Sequence, residues 1–144
     1  MNALEAVVTK DEQDDRNSPA VACLRIAVLH HPIRPPTPRR RVMMLENRFE
    51  VEERLRDLSF GLALCGHEHD QDVGEPDGGL MQCIAGTASQ SRRGNSFVVL
   101  EIEASAAADD RVPVTVVRYM CETNANAFVA QAPCERKEVA MARW

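Results

Sequence analysis

The chain has no apolar run approaching the ~20 residues that cross a bilayer, so no helical membrane span and no membrane partner is expected. It has no basic-then-apolar start. Glu5, Asp11, Glu12, Asp14 and Asp15 occupy that region instead, and no secretory leader is visible. It has no excess of positive charge: the net charge is −5 over 144 residues and the pI about 5.4. The whole surface therefore makes a poor non-specific partner for nucleic acid. Cysteine occurs five times (Cys23, Cys65, Cys83, Cys121, Cys134), widely spaced, odd in number and never as C-x-x-C. Cys23, Cys65 and Cys83 lie in or beside apolar runs. The set reads as buried, reduced thiols of a cytoplasmic protein, not a disulfide framework. Neither Ser89 nor Ser91 has a G-x-S-x-G setting, which argues against a serine nucleophile. No internal repeat is visible, and the length suits one domain with a real core.

Histidine is scarce too, and its placement is the most informative feature. Of four, two are adjacent, His30-His31, just after the apolar stretch Leu24 to Leu29. The other two, His67 and His69, follow Leu62-Ala63-Leu64-Cys65-Gly66. Each cluster sits at the end of a run of strand length. Imidazole is a good ligand for zinc, iron and manganese. Gly66, without a Cβ, suits a sharp turn and a close backbone approach to an ion.

Between the clusters the pattern changes. Val21 to Leu29 is mostly apolar and reads as a central strand buried on both faces. Pro32, Pro35, Pro36 and Pro38, with Arg39-Arg40-Arg41 behind them, exclude a helix or ladder strand and read as a loop. From Val42 to Leu58, Met44, Leu45, Arg48, Val51, Leu55 and Leu58 recur at helical spacing, with charge pairs three or four apart on the remaining faces. Phe60 to Cys65 is the next strand. Strand, helix, strand forms a parallel βαβ unit, whose strand C-termini share one sheet edge. Both histidine clusters are therefore expected to meet there, at the edge where open α/β sheets bind ligands.

Asp70 to Gly79 is turn-rich, Leu80 to Ala85 a short strand, and Gly86 to Ser89 a loop. Phe97 to Glu103 and Val112 to Tyr119 read as strands around a small polar turn, with a short piece at Phe128 to Ala130. The second half is strand-rich and antiparallel, and residues from Pro133 show no clear pattern. In outline, residues 1–20 are a helix or loop, 21–120 hold the domain, and 121–144 form a C-terminal extension. Arg39 to Arg41 and Arg92-Arg93 read as solvated flanks, with steering of a phosphate substrate as the alternative. Asp70 and Asp72 read as turn residues, with carboxylate ligands as the alternative, and His31 reads as a packing or supporting residue. Glu68, pointing away between its histidines, has no role.

Five segments together resemble the second half of a calcineurin-like metallophosphoesterase domain. They are Ile26-Ala27-Val28-Leu29-His30-His31-Pro32, the following helix, Leu64-Cys65-Gly66-His67-Glu68-His69, Ile84-Ala85-Gly86-Thr87-Ala88-Ser89 and Phe97 to Ile102. The resemblance runs from about Arg25 to Tyr119 and implies an α/β fold: the C-terminal half of a four-layer α/β/β/α sandwich, with a mixed sheet, one parallel βαβ unit and a strand-rich second half. It implies hydrolysis of phosphate monoesters or diesters by two divalent ions (Mn, Fe or Zn) with a bridging hydroxide. His30 and His67 are then ligands of one metal and His69 of the other, and the partner is a phosphoester substrate.

The family's first half carries D-x-H, G-D-x-x-D and G-N-H-[DE], and none of these occurs here. With them go the bridging carboxylate and the leaving-group histidine. The chain thus looks like a C-terminal half, with a missing N-terminal half or a partner expected to cover its exposed sheet. Two functions follow: a metal-dependent phosphoesterase whose other half lies elsewhere, or a non-catalytic half-domain serving as a binding or structural piece. A histidine-only zinc site with a regulatory role is a third.

Overall fold

The computed structural model describes residues 22–35, 45–87, 94–104, 109–122 and 127–143. The expected N-terminal helix, the basic runs 39–41 and 92–93, Met44, Ser89 and Ser91 lie outside them. The elements are β1 (Ala22–Cys23), β2 (Arg25–Leu29), α1 (Arg48–Asp57), β3 (Phe60–Cys65), β4 (Asp72–Val73), β5 (Met81–Ile84), β6 (Ser96–Ile102), β7 (Arg111–Glu122), β8 (Ala127–Ala140) and β9 (Ala142–Arg143). The fold is mixed α/β with a strand-rich second half.

The first sheet has the order β2-β3-β5-β4. β2, β3 and β5 run parallel, and β4 pairs antiparallel with β5. The second sheet, β6-β7-β8, is antiparallel throughout, and β1 pairs antiparallel with β9. Helix α1 covers one face of the first sheet. Leu55 packs there with Ala27, Phe60, Ala63, Leu80 and Ile84, flanked by Val51 and Leu58. This is the helical face the sequence spacing predicts, on a shorter helix than expected. The opposite face meets the second sheet through Leu62, Val73, Met81 and Cys83 against Val112, Val114, Val116 and Val139. Expected intrahelical charge pairs are present as Arg56–Glu52 (2.7 Å) and Arg54–Asp57 (3.7 Å).

Gly61 explains how β3 serves both cores. The pairing of β3 with β2 skips at this residue, since Arg25 faces Phe60 and Ile26 faces Leu62. The extra residue reverses the alternation, so that Phe60 joins the helix-side core and Leu62 the inter-sheet core. The second sheet closes tightly here. A Cβ on Gly61 would lie 2.2 Å from the Ala140 carbonyl oxygen and 2.6 Å from Leu24 Cδ1.

None of the five cysteines is in a disulfide. Cys23 and Cys121 are half-buried and Cys134 is exposed, whereas Cys65 and Cys83 are buried as their apolar context suggests. Burial pushes each of these two thiols up to about 11.

Two elements differ from the sequence expectation. β2 reads as a central strand but is an outer strand of its sheet among the described residues. Ile26 and Val28 pair with Leu62 and Leu64 on the inter-sheet side, yet they are 41% and 78% exposed because the second sheet does not reach over β2. Residues from 127 onward, expected to be largely patternless, form a 14-residue strand along β7. It is an outer strand, exposed along most of its length, so no burial alternation marks it.

Two outcomes are expected. Gly61→Ala should lower stability by about 1–3 kcal/mol through overpacking, whereas Gly74→Ala, whose added Cβ meets only Gln82 O at 3.8 Å, should be near neutral. Urea denaturation of both variants checks this. The purified chain should also brighten a hydrophobic dye, because exposed apolar strips seek cover, and the double substitution Ile26→Thr, Val28→Thr should dim it. A monomer that leaves the dye dark refutes the uncovered strip.

Candidate metal centre

The site forms where the parallel strands end. The Gly66 N–H donates to His30 O (3.1 Å) and the Ala85 N–H to Cys65 O (2.8 Å), carrying the pairing of β2, β3 and β5 just past their last residues. His30 and His67, 37 positions apart, meet with Nε2 and Nδ1 at 3.0 Å. Parallel βαβ topology brings the two strand ends to one sheet edge, as the spacing predicts. His31 closes a triangle with ring centroids 4.6 Å from His30 and 4.3 Å from His67, and His30 to His67 is 4.9 Å. One nitrogen from each of His30, His31 and His67 lies within 4.8 Å of the other two.

The turn between the strand and its histidines is not made by Gly66, which keeps an ordinary negative φ. His67 has φ 71° and His69 φ 59°. The Glu68 N–H donates back to Gly66 O at 2.9 Å, closing a γ-turn centred on His67. Histidine enters the left-handed region more readily than most residues, but the geometry still costs of order 1–3 kcal/mol. That strain aims the His67 ring at His30 and His31.

The residues fit one metal ion. Tetrahedral zinc holds imidazole nitrogens at about 2.0–2.1 Å, placing them about 3.3 Å from each other, within the spread found here. His31 Nδ1 is buried and makes no hydrogen bond, an orphaned polar atom that a cation or a proton partner satisfies. Among the described residues no carboxylate joins the three nitrogens, so they supply no bridge for the second ion of a dinuclear centre. His69, expected as a ligand of that second ion, is exposed and stands outside the group.

Asp72 is on β4, the outer strand opposite β2, and is a strand residue, not a turn residue. Burial raises its carboxyl above the ordinary value, with the Arg118 charge opposing the shift. Glu68 is buried.

No family model matches the sequence, and no curated protein matches it. Several solved structures do. Vps29 from Entamoeba histolytica, crystallised with zinc, is 18% identical with a TM-score of 0.47 over 83% of this chain and 59% of that one. Chaetomium thermophilum Vps29 is 12% identical with a TM-score of 0.48 over 86% of this chain and 60% of that one. Vacuolar Protein Sorting 29 from Cryptosporidium parvum is 18% identical with a TM-score of 0.41 over 70% of this chain and 48% of that one. The chain thus spans about half to three-fifths of the length of these proteins. With TM-scores below 0.5, the likeness is one of chain path and transfers no residue role.

The raised carboxyl pKa of Asp72 has a stability consequence. Because the folded value lies above the unfolded one, folding favours the protonated form. That contribution is complete below the ordinary carboxylate range and is lost as pH rises through the folded value. Asp72→Asn should therefore raise the melting temperature at pH 7 and leave it nearly unchanged at pH 3. A fall at pH 7 would give the carboxylate a favourable role there.

Proposed function

We propose that this chain is the metal-ligating C-terminal part of a metallophosphoesterase-type hydrolase acting on phosphate monoesters or diesters. The observation that carries this reading is the 3.0 Å approach of His67 Nδ1 to His30 Nε2, with His31 completing a three-nitrogen set at one sheet edge. The order of the His-His-Pro, Gly-His-Glu-His and Ala-Gly-Thr-Ala-Ser segments supports it.

A bound divalent ion supplies a Lewis acid for phosphoryl oxygens and lowers the pKa of coordinated water. The chain's own residues do the holding. His30 is fixed through its carbonyl by the Gly66 N–H, His67 is aimed by its γ-turn, and His31 approaches from the buried side. His69, on the same loop and exposed, is proposed for a second ion, whose remaining ligands and bridge come from a further segment carrying D-x-H, G-D-x-x-D and G-N-H. The exposed strip of Ile26 and Val28 is proposed as the surface which that segment, or a partner in its place, covers.

A second reading, a non-catalytic binding piece with one structural ion, is favoured by the absence of a carboxylate from the histidine group among the described residues. A single experiment separates the two. The chain should take up about one zinc or manganese ion and lose it with His67→Ala, while hydrolysing a generic phosphodiester at or near background. Adding the missing half, fused or in trans, should restore turnover under the hydrolase reading and leave it at background under the other. Failure to take up any ion removes both. Metal-dependent turnover by the chain alone, abolished by His67→Ala, would show that the described and remaining residues already complete the site.

A further inference from the structure

A buried amide on β5 makes three hydrogen bonds to the loop that follows the first histidine pair, beside a longer contact with Cys65 Sγ at 3.9 Å. Gln82 is 4% exposed and stands opposite Ala63 of β3. Its Oε1 accepts from the Ile33 N–H (2.8 Å) and the Arg34 N–H (2.9 Å), and its Nε2–H donates to Arg34 O (2.9 Å). These are the bonds a neighbouring strand would make, supplied here by one side chain to a segment outside every strand. Pro32 and Ile33 are buried at the same place, and Arg34 Nε reaches on to Glu52 of α1 at 2.8 Å.

The consequence falls on His31. On its N-terminal side His30 O is held by the Gly66 N–H. On its C-terminal side the Gln82 clamp holds Ile33 and Arg34. Pro32 restricts the His31 backbone to extended conformations. The ring has no hydrogen bond at its buried Nδ1, so the backbone held on both sides, with the ring contacts to His30 and His67, sets where it points. We infer that Gln82 is a positioning residue for the three-histidine site, holding His31 in ligating reach of His30 and His67 through its three bonds to the Ile33–Arg34 segment. The inference rests on the reading of that group as a metal centre. Supporting residues of metal ligands typically contribute about 10- to 100-fold in affinity.

The test compares the whole chain with Gln82→Met, which keeps the volume and removes all three bonds, and with Gln82→Glu, which keeps the acceptor and loses the amide donor. Val112→Ala, in the inter-sheet core that excludes Ile33 and the histidines, controls for general loosening. Zinc affinity is measured by titration against a chelating dye. The ring resonances of His31 and His67 are followed by NMR in the zinc-free chain. Gln82→Met should weaken zinc at least 10-fold and shift or broaden the His31 signals while His67 stays in place. Gln82→Glu should show a smaller change of the same kind, and Val112→Ala should lower the melting temperature with affinity unchanged. Wild-type zinc affinity with unmoved His31 signals in Gln82→Met overturns the proposal, and in Gln82→Glu does so if the methionine variant does not fold. If the wild-type chain binds no zinc, the metal reading has failed, and the His31 signals in the zinc-free variants still decide whether Gln82 places that ring.

Discussion

The parallel ladder between β2 and β3 is the constraint from which the site follows. Its register sets Leu29 opposite Cys65, so the residues just beyond each strand emerge side by side. In an antiparallel pair the same two ends would point apart, and His30 and His67 could not share an atom-to-atom contact. The helix between the strands permits the parallel arrangement, and Leu55 anchors that helix to the sheet at 1% exposure. A substitution that loosened α1 would act on the histidines through this ladder, without touching them.

The site is assembled from rigid pieces with strain confined to one loop. Strand ends and a buried amide hold the His30-His31 side. The His67 side is held by a γ-turn with a left-handed histidine at its centre. Such a conformation persists only where its surroundings over-determine it. Here the preceding residue is pinned to His30 O, and the strand behind it is buried on both faces.

Much of this was legible in the sequence because it rests on period and spacing. The two apolar runs, the helical repeat through Val51, Leu55 and Leu58, and the histidines at both strand ends all follow from local rules, and the meeting of the clusters follows from βαβ topology. His31 as a member of the triangle was less legible. Alternation within a strand sends neighbours to opposite faces, but β2 stops at Leu29 and the rule lapses before His31. Gln82 left no signal either, since a lone glutamine in an apolar strand shows its value only when its partners, 48 and 49 positions away, are placed beside it. Glycine is the residue best suited to positive φ, so the sequence points to Gly66 for the turn, whereas the chain takes up that geometry at His67 and His69. β2 appears doubly buried from its composition because composition records the cover a strand is suited to. What lies over it is a property of the other sheet.

The contact between Gly61 and the Ala140 carbonyl also bears on the order in which the chain can mature. β8 reaches β3 across most of the sequence, and β9 returns to pair with β1. While the protein is being made, the ribosome releases β2, α1, β3 and β5 long before residues 127–143 emerge. The parallel sheet therefore waits with Leu62 and Leu64 open on one side. Long-range closures of this kind are slow and leave intermediates prone to association. The nascent chain thus carries an uncovered apolar sheet face through the interval before its second sheet can close.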